Sequence, residues 1–135
     1  MLRFITGIFI ILHGLVYMFY FGQSRRLFEL EAAMIWPDGS WIFSKLLGTG
    51  ATRSLASVAC VLAAIGFVAG GIAILFGLAW WRPVVVTTAV FSCLAFLLFW
   101  DGTLHKLDVQ GGISILINLA ILLAVLVFQW PKFDF

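Results

Sequence analysis

Charge is what this sequence has least of. Asp, Glu, Lys and Arg make up 10% of its 135 residues, 64% are hydrophobic, and mean hydropathy is +1.16. Soluble domains carry roughly a quarter charged residues and a little under half apolar ones, so a water-soluble globule, a disordered chain and a nucleic-acid binder all fit badly. The net charge of +2 is too slight to imply an anionic partner beyond ordinary membrane phospholipid. Cysteine is scarce as well. Cys60 and Cys93 do not form a CxxC, and their depths below the Trp81 to Pro83 region differ by roughly nine residues, about 13 Å at helical rise. That argues against a disulfide and against a thiol oxidoreductase that exchanges disulfides with quinones; small buried hydrophobes are the expected roles. A phosphate-binding glycine loop, HExxH and Gx[ST]xG are all missing.

What is present is long apolar sequence. Phe4 to Ser24, Ser54 to Trp81, Pro83 to Trp100 and Val109 to Pro131 hold no Asp, Glu, Lys or Arg over 21, 28, 18 and 23 residues. Each is long enough to cross a hydrocarbon core about 30 Å thick. The expected fold is therefore all-α: a polytopic membrane protein, a four-transmembrane-helix bundle with a long, partly helical loop between helices 1 and 2. The spans fall near 4–22, 55–79, 84–100 and 112–129, with an interfacial loop at 25–53, in one domain covering 1–135. A transmembrane β-barrel is excluded, because its strands alternate apolar and polar residues. The absence of charge inside the spans also argues against a proton- or cation-coupled transporter. The first span runs too long for a signal-peptide core and ends in Tyr17, Met18, Phe19, Tyr20 and Phe21, so it reads as a retained helix with an aromatic anchor.

The connections are unequal. Trp80, Trp81, Arg82 and Pro83 make a tight antiparallel hairpin of the second and third spans. In the long loop, Arg26 to Trp36 reads as a short helix with Leu27, Leu30 and Met34 on one side, broken by Pro37, Asp38 and Gly39. Two roles stand open for this loop: an interfacial cap on the headgroups, or a lid over a cavity in the bundle. Five basic residues (Arg25, Arg26, Lys45, Arg53, Lys106) against three (Arg3, Arg82, Lys132) put the loop in the cytoplasm, a narrow margin that leaves sidedness undecided.

Two patterns predict the packing. Ala56, Ala59, Ala63, Gly66, Gly70, Ala73 and Gly77 recur at steps of three and four along the second span, one stripe of small residues. In lipid such stripes let helix backbones approach, with Ala59, Ala63, Gly66, Gly70 and Ala73 as the packing core of the seam. The partner is another helix of the chain, with a homo-oligomer seam as the alternative. Separately, Thr6, His13, Tyr17, Tyr20 and Ser24 share one face of the first span. Thr88 and Ser92 share a face of the third, and Gly111, Ser114 and Asn118 of the fourth. Polar side chains seldom face lipid, so these faces should converge.

His13 is the intramembrane group able to titrate near neutrality. It has three readings: a structural donor to Asn118, Ser92 or a backbone carbonyl; a ligand contact; or a haem or metal ligand. The last is the weakest, for want of a second imidazole at matching depth. Asn118 needs a partner, since a bare amide in hydrocarbon costs several kcal/mol. Asp101, His105, Lys106 and Asp108 cluster in the third loop, where a solvated helix cap is the expectation rather than acid–base chemistry.

The order of GIFIILHGLVY (Gly7 to Tyr17), a long loop, the small-residue helix Leu62 to Gly77, WWRP (Trp80 to Pro83) and GISILINLAI (Gly112 to Ile121) resembles the DoxX-like group of small four-helix membrane proteins, relatives of Surf4-like proteins. The resemblance implies a multi-pass protein of the cell (cytoplasmic) membrane, some of whose kin look like membrane subunits of quinone- or thiol-linked oxidoreductases; no catalytic motif transfers to numbered positions. The leading expectation is a non-catalytic membrane subunit or anchor, with such a redox assembly as one setting, with the bilayer and membrane or redox proteins as partners and no catalytic residue. The alternative is a binder of quinone or another lipid-like molecule. Its pocket would lie under the long loop, lined by His13, Tyr17, Tyr20, Ser114 and Asn118, with no metal and no other cofactor. A passive channel ranks third, because polar lining residues are few.

Overall fold

The computed structural model describes residues 1–25, 40–99 and 112–129. Five α-helices carry the described chain: α1 Leu2–Ser24, α2 Phe43–Leu46, α3 Gly48–Leu75, α4 Trp81–Phe99 and α5 Gly112–Leu122, the last running on into a π-helical turn at Leu123–Val127. No strand occurs among the described residues. Within α1, α3 and α4 lie three segments long and apolar enough to cross a membrane, of 21, 26 and 19 residues, and Ile113–Val127 forms a shorter fourth apolar helix. The loop helix expected at Arg26 to Trp36 and the cluster of Asp101, His105, Lys106 and Asp108 lie outside the described residues.

The long helices run up, down, up, down. Along α1 and α3, Gly7 meets Gly71 and Leu75 while Gly14 meets Ala64 and Phe67, so chain directions are opposed. α3 packs on α4 through Gly66 against Thr88 and Gly70 against Val85, and α4 packs on α5. Backbone approach is therefore close at three seams in the order α1, α3, α4, α5. The α5–α1 flank is bridged by side chains instead.

The glycines show how close the approach is. A methyl group at Gly66 would overlap Thr88 Oγ1, and one at Gly70 would lie 2.5 Å from Val85 Cγ2. One at Gly71 would lie 2.7 Å from the Gly7 carbonyl oxygen. Helix α3 thus carries two small-residue faces, one toward α4 and one toward α1. Ala63 and Ala73 are buried, and Ala59 packs against the core beside Ala56.

Helix boundaries depart from the sequence reading at the ends of α3. Its start at Gly48 precedes the apolar run, and within this polar first turn the buried Thr52 hydroxyl bonds back to the Gly48 carbonyl at 2.7 Å. It ends at Leu75, not near 79, because Gly77 takes φ +73°. The Gly77 amide donates to the Ile74 carbonyl at 3.2 Å and the Leu78 amide to that of Ala73 at 2.8 Å, a Schellman cap. Gly77 therefore terminates the helix and is not part of the packing stripe. The reversal occupies 76–80, and α4 already includes Trp81 and Pro83; proline is tolerated there because a first-turn amide has no helical acceptor.

At the far end of the bundle, Ser40 to Leu47 closes over the C-terminus of α4. The buried Ser40 hydroxyl donates to the Leu98 carbonyl at 2.5 Å and accepts from the Phe43 amide at 3.2 Å. The Trp41 indole N–H donates to the Leu97 carbonyl at 2.7 Å, and Phe43 meets Phe99 at 5.1 Å between ring centroids. Carbonyls that the helix cannot satisfy itself are thus covered.

Candidate functional site

The polar faces converge halfway along the bundle. His13 on α1 donates from Nε2 to Asn118 Oδ1 on α5 at 2.8 Å, which fixes the proton on Nε2. Asn118 Nδ2 donates to the Tyr17 hydroxyl at 3.1 Å and to Ser92 Oγ on α4 at 3.0 Å, and Tyr17 and Ser92 are hydrogen-bonded to each other. All four side chains are buried, Asn118 completely. One amide therefore ties three helices together using its acceptor and both donors. Ser114, one turn earlier on α5, is buried on the same inward face, beside the Tyr17 hydroxyl.

Aromatic rings wall this layer. Tyr17 is stacked between Phe67 and Phe96 at centroid distances of 5.7 and 5.6 Å, and His13 meets Phe67 edge-on at 4.7 Å. Tyr20 lies one turn away, edge-on to Phe96 at 4.9 Å, so it belongs to the aromatic wall. His13, Tyr17, Ser114 and Asn118 are brought together; Ser92 completes the set. The spacing of Thr88 and Ser92 marked an inward face, but Thr88 turns back to its own helix, donating to the Val84 carbonyl at 2.7 Å. Beside Tyr17 and Ser92 the free space is about 10 Å³, at the lower limit for one water.

Room exists at the other end. A cavity of about 270 Å³ lies near the α3–α4 reversal, floored by Ile74, Trp81 and Val85. Thr6, Phe9 and Ile10 of α1 form one side. The opposite side is a stripe of α5 and its π-turn: Ile117, Ala120, Ile121, Ala124 and Val125. This is the flank where α1 and α5 lack close backbone packing. The described part of the long loop covers the opposite end of the bundle, so it does not roof this cavity. Sequence reasoning missed the cavity. Its signals were the alanines at 120 and 124, one turn apart on α5 in an otherwise bulky stretch, opposite the stretch of α1 between Thr6 and His13 that carries no polar side chain.

Cys60 and Cys93 are free thiols, on α3 and α4. Among the described residues no group of three His, Cys, Asp or Glu side chains could hold a metal ion. No family model, no curated protein and no solved structure matches this chain.

Proposed function

We propose that the protein is a multi-pass subunit or anchor of the cytoplasmic membrane, non-catalytic by itself, of the DoxX-like type. One observation carries the reading. His13, Tyr17, Ser92 and Asn118 point inward and bond each other, while Ile8, Leu12, Leu62, Ile65, Leu94 and Leu116 point outward, each about half exposed or more. In water this distribution would be inverted, and so large an apolar exterior would aggregate. In lipid it is the stable arrangement, since acyl tails solvate the exterior and cannot satisfy His13 or Asn118. The Asn118 layer is structural glue on this reading, holding a rigid support on which other membrane proteins dock, among them components of a quinone- or thiol-linked redox assembly. Native mass spectrometry from mild detergent tests it. Recovery with further polypeptides supports a subunit, whereas a partnerless protein with turnover of its own defeats the proposal.

A second reading places a quinone-like ring at His13, Tyr17, Tyr20, Ser114 and Asn118. The feature favouring it is the pairing of buried donors with stacked Phe67 and Phe96. A ring could enter only by displacing existing bonds, so saturable binding of a soluble quinone that Asn118→Ala abolishes is the supporting result, and no binding removes it.

A further inference from the structure

The cavity beside α5 is well separated in character from the Asn118 layer. Of its lining side chains only Thr6 and Trp81 hold any polar atom, a hydroxyl and an indole nitrogen. A buried water needs two to four polar partners. Walls this poor in them favour hydrocarbon over water, and a dry cavity roughly half this size is known to take up benzene.

Shape narrows the choice. The α5 wall runs from Ile117 to Val125, about 12 Å at helical rise. Spread along that length, about 270 Å³ is an elongated groove with room for a hydrocarbon chain. One unbranched chain fits along it with its carbons about 4 Å from those of the walls. Access is lateral, through the α1–α5 flank that lipid tails would bathe.

Charge sits at the same end. Arg82 follows Trp81 in the first turn of α4, its guanidinium 5.3 Å from the centroid of a Trp81 ring that helps floor the cavity. Arg3 stands near the start of α1, at the same end of the bundle. A cation beside the floor of an apolar groove is complementary to a phosphate carrying an acyl chain.

We infer that this cavity is a phospholipid site: one acyl chain of a glycerophospholipid lies between α1 and α5 along Ile117 to Val125, with its phosphate at the level of Arg82. The inference rests on the bundle being embedded in a bilayer, but not on the subunit or anchor role. The bound lipid takes the place of the missing α1–α5 backbone contact, so the flank is completed by the membrane itself.

The test uses the full-length protein in lipid nanodiscs doped with a phosphatidylglycerol bearing a photoactivatable diazirine on one acyl chain. After irradiation, adducts are mapped by peptide mass spectrometry. Enrichment of at least fivefold on Phe9, Ile117 and Ile121 over the outward Leu116, Leu119 and Leu123 is expected. Equal labelling of both sets means ordinary annular lipid and overturns the site. A companion measurement counts phosphatidylglycerol retained by native mass spectrometry after delipidation in detergent. Wild type should keep one molecule, Ala124→Phe about tenfold less, and the outward control Leu116→Phe as much as wild type. Equal retention by Ala124→Phe and wild type contradicts the proposal, as does retention of an isoprenoid quinone in place of phospholipid when both are supplied. Should Ala124→Phe not fold, the labelling of wild type decides alone. Spontaneous insertion into the nanodisc is scored separately, so failure of membrane embedding is distinguishable from failure of the lipid site.

Discussion

The two halves of the bundle are built on opposite rules. Around Asn118, four side chains from three helices fill the interior, the amide accepts one bond and donates two, and the free space beside Tyr17 and Ser92 is about 10 Å³. Toward the α3–α4 reversal the lining is almost wholly apolar and leaves about 270 Å³. In water the empty half would be the expensive one, because apolar contacts drive folding there. In lipid the polar half is the constrained one: an unmet amide has no solvent to turn to, while unfilled apolar space can be completed by a tail from the bilayer. Specificity of assembly accordingly resides in the polar layer, and tolerance in the cavity.

That contrast can be broken most sharply at Asn118. Asn118→Ala leaves His13, Tyr17 and Ser92 buried with bonds lost, and a loss of about 3 kcal/mol is expected from unsatisfied buried groups. Reversible unfolding in mixed detergent micelles measures it. A loss below the mean of about 0.6 kcal/mol for single interhelical bonds in lipid would deny the layer its role.

The next largest effect belongs to the glycine seams. Gly71→Ala puts a methyl against Ile11 and 2.7 Å from the Gly7 carbonyl, so α1 must shift, costing about 2 kcal/mol as overpacking. Gly50→Ala, in the same helix with nothing within 4 Å, is expected to stabilise by up to about 1 kcal/mol. Equal effects in the same unfolding assay would mean the α1–α3 approach is looser than described.

Ser40→Ala removes a hydroxyl that serves the Leu98 carbonyl and the Phe43 amide at once, and should lower stability by about 1 kcal/mol. Hydrogen exchange at the α2 amides reads the local loosening. The smallest effect is reserved for the empty half. Ala124→Val adds two methyl carbons facing open space, with a change within about 0.5 kcal/mol of zero expected. A destabilisation as large as that of Gly71→Ala would show the cavity to be closed and packed.

Much of this was legible in the sequence, and for definite reasons. Charge-free runs mark helices because a bilayer leaves so few options. The steps of seven and four from Thr6 to Tyr17, set beside Ser114 and Asn118, mark inward faces because lipid punishes the outward alternative. The convergence of His13 on Asn118 followed from those faces. Less legible was the double use of α3. Gly70 and Gly71 are adjacent, so one faces α4 and the other α1, but a single stripe absorbs only one of them. Gly14, seven residues after Gly7, was the missing clue to the second seam. The end of α3 was misplaced because Gly77 fits both the small-residue rhythm and a left-handed cap, and only backbone geometry separates them. The cavity was invisible because periodicity reports which residues face inward, never whether they meet.

Oxygen accessibility of a nitroxide scanned along Ile113 to Leu126 of the α5 segment, in a reconstituted bilayer, tests most directly whether this bundle hides its polar atoms from lipid. Maxima at 116, 119, 123 and 126 with minima at 114, 118 and 121 are the predicted profile, alternating with the period of a helix whose Asn118 side faces its neighbours. High oxygen accessibility at 118, or a profile in which water-soluble quencher replaces oxygen at the outward positions, would contradict it.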